Sequence, residues 1–488
     1  MNDQHQSSSM LTDLYQLTMA QAYLSAGTAT TEGCFHLYYR TNPFGGGYAI
    51  ASGLEQAIKH LTSMRFGDED VAYLATQTGA DGHALFSADF LAWLREVRFT
   101  GDVDAVPEGT VVFAREPLLR VCGPLPICQI VETALLNIIN FQTLVATKAS
   151  RCCLAAEGGP VVEFGLRRAQ GPDGGLSASR AAFIGGCTAT SNVLAGQRLG
   201  IPISGTHAHS WVMAFDSELE AFQAYAEAMP NNVTLLVDTY DTIEGVRNAV
   251  KVGLKLRERG HELLGIRIDS GDLAWLSRRA REILDESGFP ETKVIASNEL
   301  DEHLITSLKD QGAAIDVWGV GTKLVTAWDQ PALGGVYKLS AIRPQGGQWS
   351  PRLKVSEQTA KATTPGVLGV RRYVRDDGSW AGDMIYDTLN PPHGETTMVH
   401  PEDPLRSTCY TESVASEELL VPVFRSGQAV YQSPSAGEIR ARATHQLEAL
   451  DASHKRFLNP HTYKVGLEEG LSRRRLELIA ASRVPEKE

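Results

Sequence analysis

Four short segments combine residue types that do chemistry. In EFGLRRAQGPDGG, Glu163 to Gly175, a β-rich run ends in two adjacent arginines and a glycine-rich loop. A guanidinium there can hold a carboxylate or phosphate through two parallel hydrogen bonds, although Arg167 and Arg168 would look the same as ion-paired surface residues. GTHAHS, Gly205 to Ser210, places two histidines directly after an apolar run. A neutral imidazole can move a proton or act as a nucleophile toward phosphorus. No neighbouring cysteine or further histidine has zinc spacing, which ranks phosphate chemistry above a metal centre.

RIDSGD, Arg267 to Asp272, joins a cation, carboxylates and a glycine turn. Asp269 suits a ribose hydroxyl or a Mg²⁺ ion, which proteins usually hold by one or two carboxylates with substrate phosphates, whereas Asp272 reads as the cap of the following helix. GVGTK, Gly319 to Lys323, offers backbone N–H groups and a hydroxyl to an anion, a weak signal by itself.

Each segment follows an apolar run, and their placement depends on those runs. VVEFG (161–165), IPISGT (201–206), VTLLVD (233–238), LLGIRID (263–269), KVIASN (293–298), AIDVWGVGT (314–322) and VYKLSAI (336–342) read as strands. They alternate with amphipathic runs such as TIEGVRNAVKVGLKLRERG and DLAWLSRRAREILDESG, which carry apolar residues at helical spacing and begin at capping residues. Alternating strands and helices predict a parallel sheet. Polar residues after almost every strand favour an irregular α/β, TIM-like barrel over an open doubly wound sheet, because a barrel gathers those strand ends at one mouth. The expected organisation is an N-terminal α+β domain over 1–140, the barrel over 141–345, and a smaller C-terminal extension of short strands, loops and helices over 346–488.

The 488 residues exceed what one core accommodates, so several domains are expected. A net charge of −13 argues against a broad nucleic-acid-binding surface. Seven cysteines without a C-x-x-C pair favour reduced thiols. The apolar stretch near 125–155 is interrupted by Glu132, Asn137, Asn140, Gln142 and Lys148 and is read as falling short of a membrane span. With no secretory leader at the start, a cytoplasmic location without membrane or nucleic-acid partners is expected.

Together, LTDLYQLTM, EFGLRRAQGPDGG, GTHAHS, RIDSGD and GVGTKLVT resemble the nicotinate phosphoribosyltransferase family, in that family's order and over residues 11 to 326; HKRFLNPHTYKV near the C-terminus also fits. The resemblance implies an irregular barrel beside an N-terminal domain, in a homodimer with shared active sites. It also implies a reaction of nicotinate, phosphoribosyl pyrophosphate and ATP with Mg²⁺ as cofactor. On that resemblance Tyr15 of one subunit stacks on the nicotinate ring against Phe164 of the other, with Arg167, Thr206 and Arg267 around its carboxylate. Gly319, Gly321, Thr322 and Asn298 hold the phosphoribosyl group, Asp238 and Asp269 meet ribose hydroxyls or Mg²⁺, and Arg40, Lys338, Lys354 and Lys361 hold phosphates. His209 aligns with the phosphorylated histidine, and His207 is a second candidate acceptor. Related nicotinamide-using enzymes carry an aspartate where this chain has Cys187. The rival readings are nicotinamide or quinolinate phosphoribosyl transfer, a barrel lyase using Lys323 or Lys338 as a Schiff base, and a non-catalytic nucleotide-binding protein.

Overall fold

The computed structural model describes residues 8–355, 362–403 and 405–482. These divide into two compact units, one of residues 1–143, 332–434 and 445–488 and one of residues 144–331 with 435–444. The segment read as a C-terminal extension from 346 onwards is therefore shared between them rather than standing apart.

The second unit is built on a six-stranded parallel sheet, in spatial order Ala189–Thr190, Val161–Glu163, Val317–Val320, Lys293–Ala296, Leu263–Ile268 and Val233–Leu236. Five of these strands coincide with runs read from the sequence. Their side chains are buried on both faces, as in Leu235, Ile266, Val294 and Val320, which is why they appear as continuous apolar runs. The helices between them start at side-chain caps: Asp241 accepts from Glu244 N–H, Asp272 from Trp275 N–H and Asp301 from Leu304 N–H.

Two strand expectations are corrected. IPISGT forms no strand; it contributes one isolated parallel bridge, Ile203 to Thr190, held by Thr190 N–H to Pro202 O and Ser204 N–H to Thr190 O, both 3.0 Å. Pro202 lacks the N–H that a longer ladder needs. VYKLSAI belongs to Gly335–Arg343, which pairs antiparallel with Glu32–Tyr39 in the first unit. The parallel sheet is thus a half-barrel with two edges, and its strands do not form the closed ring expected of a TIM-like barrel.

In the first unit, Glu32–Tyr39 lies between Gly335–Arg343 and Leu119–Pro124 in a seven-stranded sheet. A six-stranded sheet carries a fully buried ion pair, Arg372 with Asp383, whose carboxylate also accepts from the Tyr463 hydroxyl at 2.8 Å. Tyr463 stacks on Phe113 at 3.7 Å between ring centroids. The C-terminal motif HKRFLNPHTYKV therefore contributes a residue to this core.

The apolar stretch at 125–155 is helical, as Leu125–Ile130 and Glu132–Ala155, and it is long and apolar enough by length and composition alone to cross a membrane. Within the protein 61% of its most apolar window is buried, which is the behaviour of a core helix. Near its end Lys148 and Arg151, each 1% exposed, meet Glu302 at 2.6 and 2.7 Å. Burial alone would raise the Glu302 pKa, but the two cations outweigh it and hold it below the usual carboxylate value. Glu302→Gln leaves two buried cations without their counter-charge and is expected to cost about 3–5 kcal/mol. Urea unfolding followed by tryptophan fluorescence measures this, and an unchanged midpoint would show the triad to be dispensable.

Candidate functional site

Five of the six parallel strands end in or run on into a polar residue, and hydrogen bonds join these into two groups, Glu163 with Thr190 and Asp238 with Asp269 and Ser297. The strand Val161–Glu163 ends at a carboxylate that is 0% exposed. Glu163 accepts from the hydroxyls of Ser179 (2.9 Å) and Thr190 (2.5 Å) and from the Gly165 N–H. It thereby pins the strand, the following helix and the neighbouring strand, and fixes the backbone that carries Phe164. The Phe164 ring lies against Gly319, where a Cβ would sit 2.7 Å from its Cδ2, so only glycine lets the ring occupy that place.

Arg267, on the strand Leu263–Ile268, has its guanidinium carbon 5.4 Å from the centroid of the Phe164 ring. It donates to Thr206 Oγ1 (3.1 Å), Ser297 Oγ (2.8 Å) and Asp269 Oδ1 (3.0 Å). Ser297 also donates to Asp269 Oδ1. Asp238 Oδ2 accepts from the Asp269 N–H (2.9 Å) and the Ser270 hydroxyl (2.6 Å). Asp238 Oδ1 is buried and has no partner among the described residues. One set of contacts thus joins Phe164, Thr206, Asp238, Arg267, Asp269 and Gly319.

The two histidines separate. His207 is 8% exposed; its Nε2 accepts the Leu236 N–H at 3.2 Å, and its ring lies 4.9 Å from that of Tyr225. It supplies an acceptor at the edge of the half-barrel where no strand follows Val233–Leu236. Burial lowers its pKa. His209 opens the helix His209–Met213, with a side chain 40% exposed, Nδ1 3.2 Å from Thr239 Oγ1 and Nε2 3.8 Å from Asp269 Oδ2. Of the two rings, only that of His209 has a nitrogen free of backbone hydrogen bonding and within reach of a ligand.

Asn298 and Glu299 adopt left-handed φ values of 93° and 44° after the strand Lys293–Ala296, a strained turn of the kind that gathers at functional sites. Thr322 Oγ1 donates to Glu299 Oε1 at 3.3 Å, and Gly321 precedes the short helix Thr322–Val325. Arg167 is not drawn into the network. It lies exposed in the single turn Leu166–Arg168 and makes no hydrogen bond or ion pair with the described residues. Lys323 is tied to Asp301 at 2.7 Å.

Tyr15, Arg40, Lys338 and Lys354 belong to the first unit, and Lys361 lies outside the described residues. Glu163, Thr239 and Ser297 belong to the site without any motif marking them. All three were inside or beside quoted strand ends, but a small hydroxyl or a strand carboxylate carries no pattern of its own.

Among the described residues no group of three or more His, Cys, Asp or Glu side chains gathers as a protein-only metal site. Mg²⁺ does not require one, since substrate phosphates and water fill most of its octahedron. The orphaned Asp238 Oδ1 and the outward Asp269 Oδ2 fit that requirement.

Family models match three stretches: the nicotinate phosphoribosyltransferase N-terminal domain over residues 10–140, the nicotinate phosphoribosyltransferase family over 160–351 and its C-terminal domain over 369–475. A nicotinate phosphoribosyltransferase of Bacillus subtilis is 44% identical over 465 residues, covering 94% of this chain and 93% of that protein. Nicotinate phosphoribosyltransferase 2 of Arabidopsis thaliana is 38% identical over 94% of this chain and 92% of its own length. The crystal structure of human nicotinic acid phosphoribosyltransferase superposes with a TM-score of 0.83 at 34% identity, over 96% of this chain and 99% of that one.

The His207 geometry has a consequence for pH. Because the folded-state pKa is lowered from 6.5, the contribution of neutral His207 to stability is complete above pH 6.5 and is lost as the pH falls from there through the folded value. His207→Gln keeps an acceptor for Leu236 but cannot be protonated. Its thermal midpoint should depend less steeply on pH below 6.5 than that of the wild type, and parallel profiles would refute the assignment.

Proposed function

The chain belongs to the nicotinate phosphoribosyltransferase family, and from that premise we propose that it joins nicotinate to the ribose of phosphoribosyl pyrophosphate and couples the step to ATP through His209. The enzyme is a nicotinate phosphoribosyltransferase of NAD biosynthesis by family and by relatives. The observation that carries the site assignment is the Arg267 hub, a fixed cation beside an aromatic face with a carboxylate pair and an accessible imidazole next to it.

In this reading the pyridine ring lies on Phe164 and its carboxylate is held by Arg267, Thr206 and Arg167. The free guanidinium of Arg167 has no competing partner among the described residues, which suits a ligand contact. The ring nitrogen attacks C1 of the ribose, the C1–O bond to pyrophosphate breaks, and positive charge develops on the ribose in between. The protein's part is to position the two reactants and stabilise that charge. Asp238 and Asp269 face the ribose hydroxyls and would hold a Mg²⁺ ion, which when bound would offset the charge of the departing pyrophosphate. Gly319, Gly321, Thr322 and Asn298 surround the ribose phosphate. Cys187 is fully buried and its thiol pKa is pushed up by contact with Cys153 and by burial, so no negative charge stands at that position against a carboxylate substrate.

For the ATP step, an imidazole nitrogen of His209 attacks the γ-phosphorus and ADP leaves; water later releases phosphate from the ring. The burial of His207 and its bond to Leu236 N–H support His209 as the acceptor. The reading includes a cytoplasmic homodimer in which Tyr15 and Arg40 serve the partner's site, while Lys338 and Lys354 hold phosphates. Leu11, Leu14 and Tyr15 are 47%, 57% and 47% exposed, an apolar group at the N-terminal helix that a second copy would cover.

Pyrophosphate release with Mg²⁺ and phosphoribosyl pyrophosphate, offering nicotinate, nicotinamide or quinolinate with and without ATP, tests the reading. Release with nicotinate, stimulated by ATP, is expected. His209→Ala should lose the stimulation and keep the slower ATP-independent rate, whereas His207→Gln should keep the stimulation. A preference for nicotinamide would overturn the specificity, and stimulation surviving in His209→Ala would overturn the coupling.

A further inference from the structure

The first unit holds two free thiols that the proposed reaction leaves unused, Cys34 and Cys122. Cys34 lies in the strand Glu32–Tyr39 and Cys122 in the antiparallel strand Leu119–Pro124, directly opposite one another. The Leu125 N–H donates to Thr31 O at 2.9 Å, which makes Thr31 and Leu125 a hydrogen-bonded pair. Counted in twos from there, Gly33 with Gly123 and Phe35 with Val121 are bonded pairs, and Cys34 with Cys122 falls at the non-bonded position between them. Opposed residues at such a position have Cα atoms about 4.5 Å apart and side chains on one face, inside the roughly 4.4–6.8 Å that a disulfide requires.

The surroundings suit the pair. Cys34 is 0% exposed and packs with Ala341 and Val367, while Cys122 and Trp349 lie against that cluster. Cys122 is partly exposed, so one thiol of the two meets solvent. Burial, and after it the facing Cys122 thiol, push the Cys34 thiol well above its usual pKa, and the Arg120 guanidinium pulls it down. Arg120 stands two residues from Cys122 along the strand and therefore on the same face. Its terminal nitrogens donate to Leu368 O and Asp104 Oδ2, both at 2.8 Å, but its Nε is buried without a partner among the described residues. A cation with an unfilled donor favours a thiolate on that face. Cys128 does not compete: its sulfur lies 3.5 Å from where a Cβ on Gly123 would stand, on the opposite face of the strand.

We propose that Cys34 and Cys122 are a reversible redox pair, oxidised by a low-molecular-weight disulfide to a cross-strand disulfide that staples the two strands. The Cys122 thiolate attacks one sulfur of the small disulfide, that S–S bond breaks, and a first small thiol leaves with the Cys122 proton. The Cys34 sulfur then attacks the Cys122 sulfur of the mixed disulfide, the Cys34–Cys122 bond forms, and a second small thiol leaves with the Cys34 proton. The two cysteines are oxidised and the small disulfide is reduced to two thiols. The new bond closes the whole chain from Cys34 to Cys122 into a loop, which restricts the unfolded state and raises the resistance of the first unit to unfolding. The pair stands apart from the proposed function and uses none of its residues.

Incubation of the reduced full chain with oxidised glutathione, followed by alkylation, digestion without reductant and mass spectrometry of the peptides, tests the proposal. A peptide linking Cys34 to Cys122 is expected, together with a thermal midpoint a few degrees above that of the reduced protein and restored by dithiothreitol. Cys34→Ala, which keeps a small apolar side chain in the cluster, should stop with glutathione on Cys122, and Cys122→Ser should give neither the link nor the rise. The wild-type peptide map and Cys122→Ser, at the partly exposed position, decide the matter even where Cys34→Ala fails to fold. Recovery of both thiols alkylated, a wild type that stops at the glutathione adduct, a link formed instead between the touching thiols Cys153 and Cys187, or a midpoint unmoved by the link would overturn the proposal and leave the proposed function intact.

Discussion

The Arg267 guanidinium is the constraint on which the candidate site depends. Its three hydrogen bonds reach Thr206 after one strand end, Ser297 after another and Asp269 beyond its own. Those segments are 28 to 61 residues from one another in sequence where the bonds cross between them. A planar, always charged fork can fix three acceptors at set angles, which a lysine ammonium on a flexible stem cannot. With Arg267 in place, Asp269 is held facing His209, and Asp269 in turn orients Asp238 through its own N–H. Without it, Asp269 would keep only the Ser297 hydroxyl and would stand beside Asp238 with no cation to offset either charge.

Below that layer, Glu163 does for the Phe164 side of the site what Arg267 does for the carboxylates. A buried carboxylate needs its lone pairs filled, and here two hydroxyls and a backbone N–H fill them from three separate elements. The aromatic face is therefore set by a fully buried polar group beneath it, and Gly319 leaves the space into which the ring is set. Positioning and chemistry are divided between different residues of one strand end.

The parts of this arrangement that were legible in the sequence are those with a one-dimensional signature. Five strands buried on both faces read as apolar runs, and Asp272 read as a helix cap. Gly335–Arg343 has a similar apolar content, and nothing local distinguishes it from a parallel strand; its antiparallel partners lie some 300 residues away at Glu32–Tyr39. The same long-range pairing explains why the C-terminal segment could not be assigned to the first unit from composition. IPISGT misled for the opposite reason: its apolar alternation is that of a strand, but Pro202 limits it to a single bridge. Arg167 and Arg168 differ in the sequence only through the family resemblance, which picks out Arg167, and both are exposed.

The histidines show how hydrogen-bond accounting separates structural from chemical roles where spacing does not. His36 is fully buried, with Nε2 accepting the Leu368 N–H at 3.1 Å and Nδ1 2.9 Å from the Ser340 hydroxyl; burial lowers its pKa to about 3. His207 repeats the arrangement in the other unit, with Leu236 as the donor. In both, protonation would place a hydrogen on the nitrogen that must accept, so these rings stay neutral and fixed. A ring committed in this way cannot present a lone pair to phosphorus. His209 differs in that its nitrogens face a hydroxyl and a carboxylate oxygen, partners that can rearrange when a ligand arrives. The separation of His207 from His209, two residues apart in sequence, therefore follows from which of them the backbone has already used.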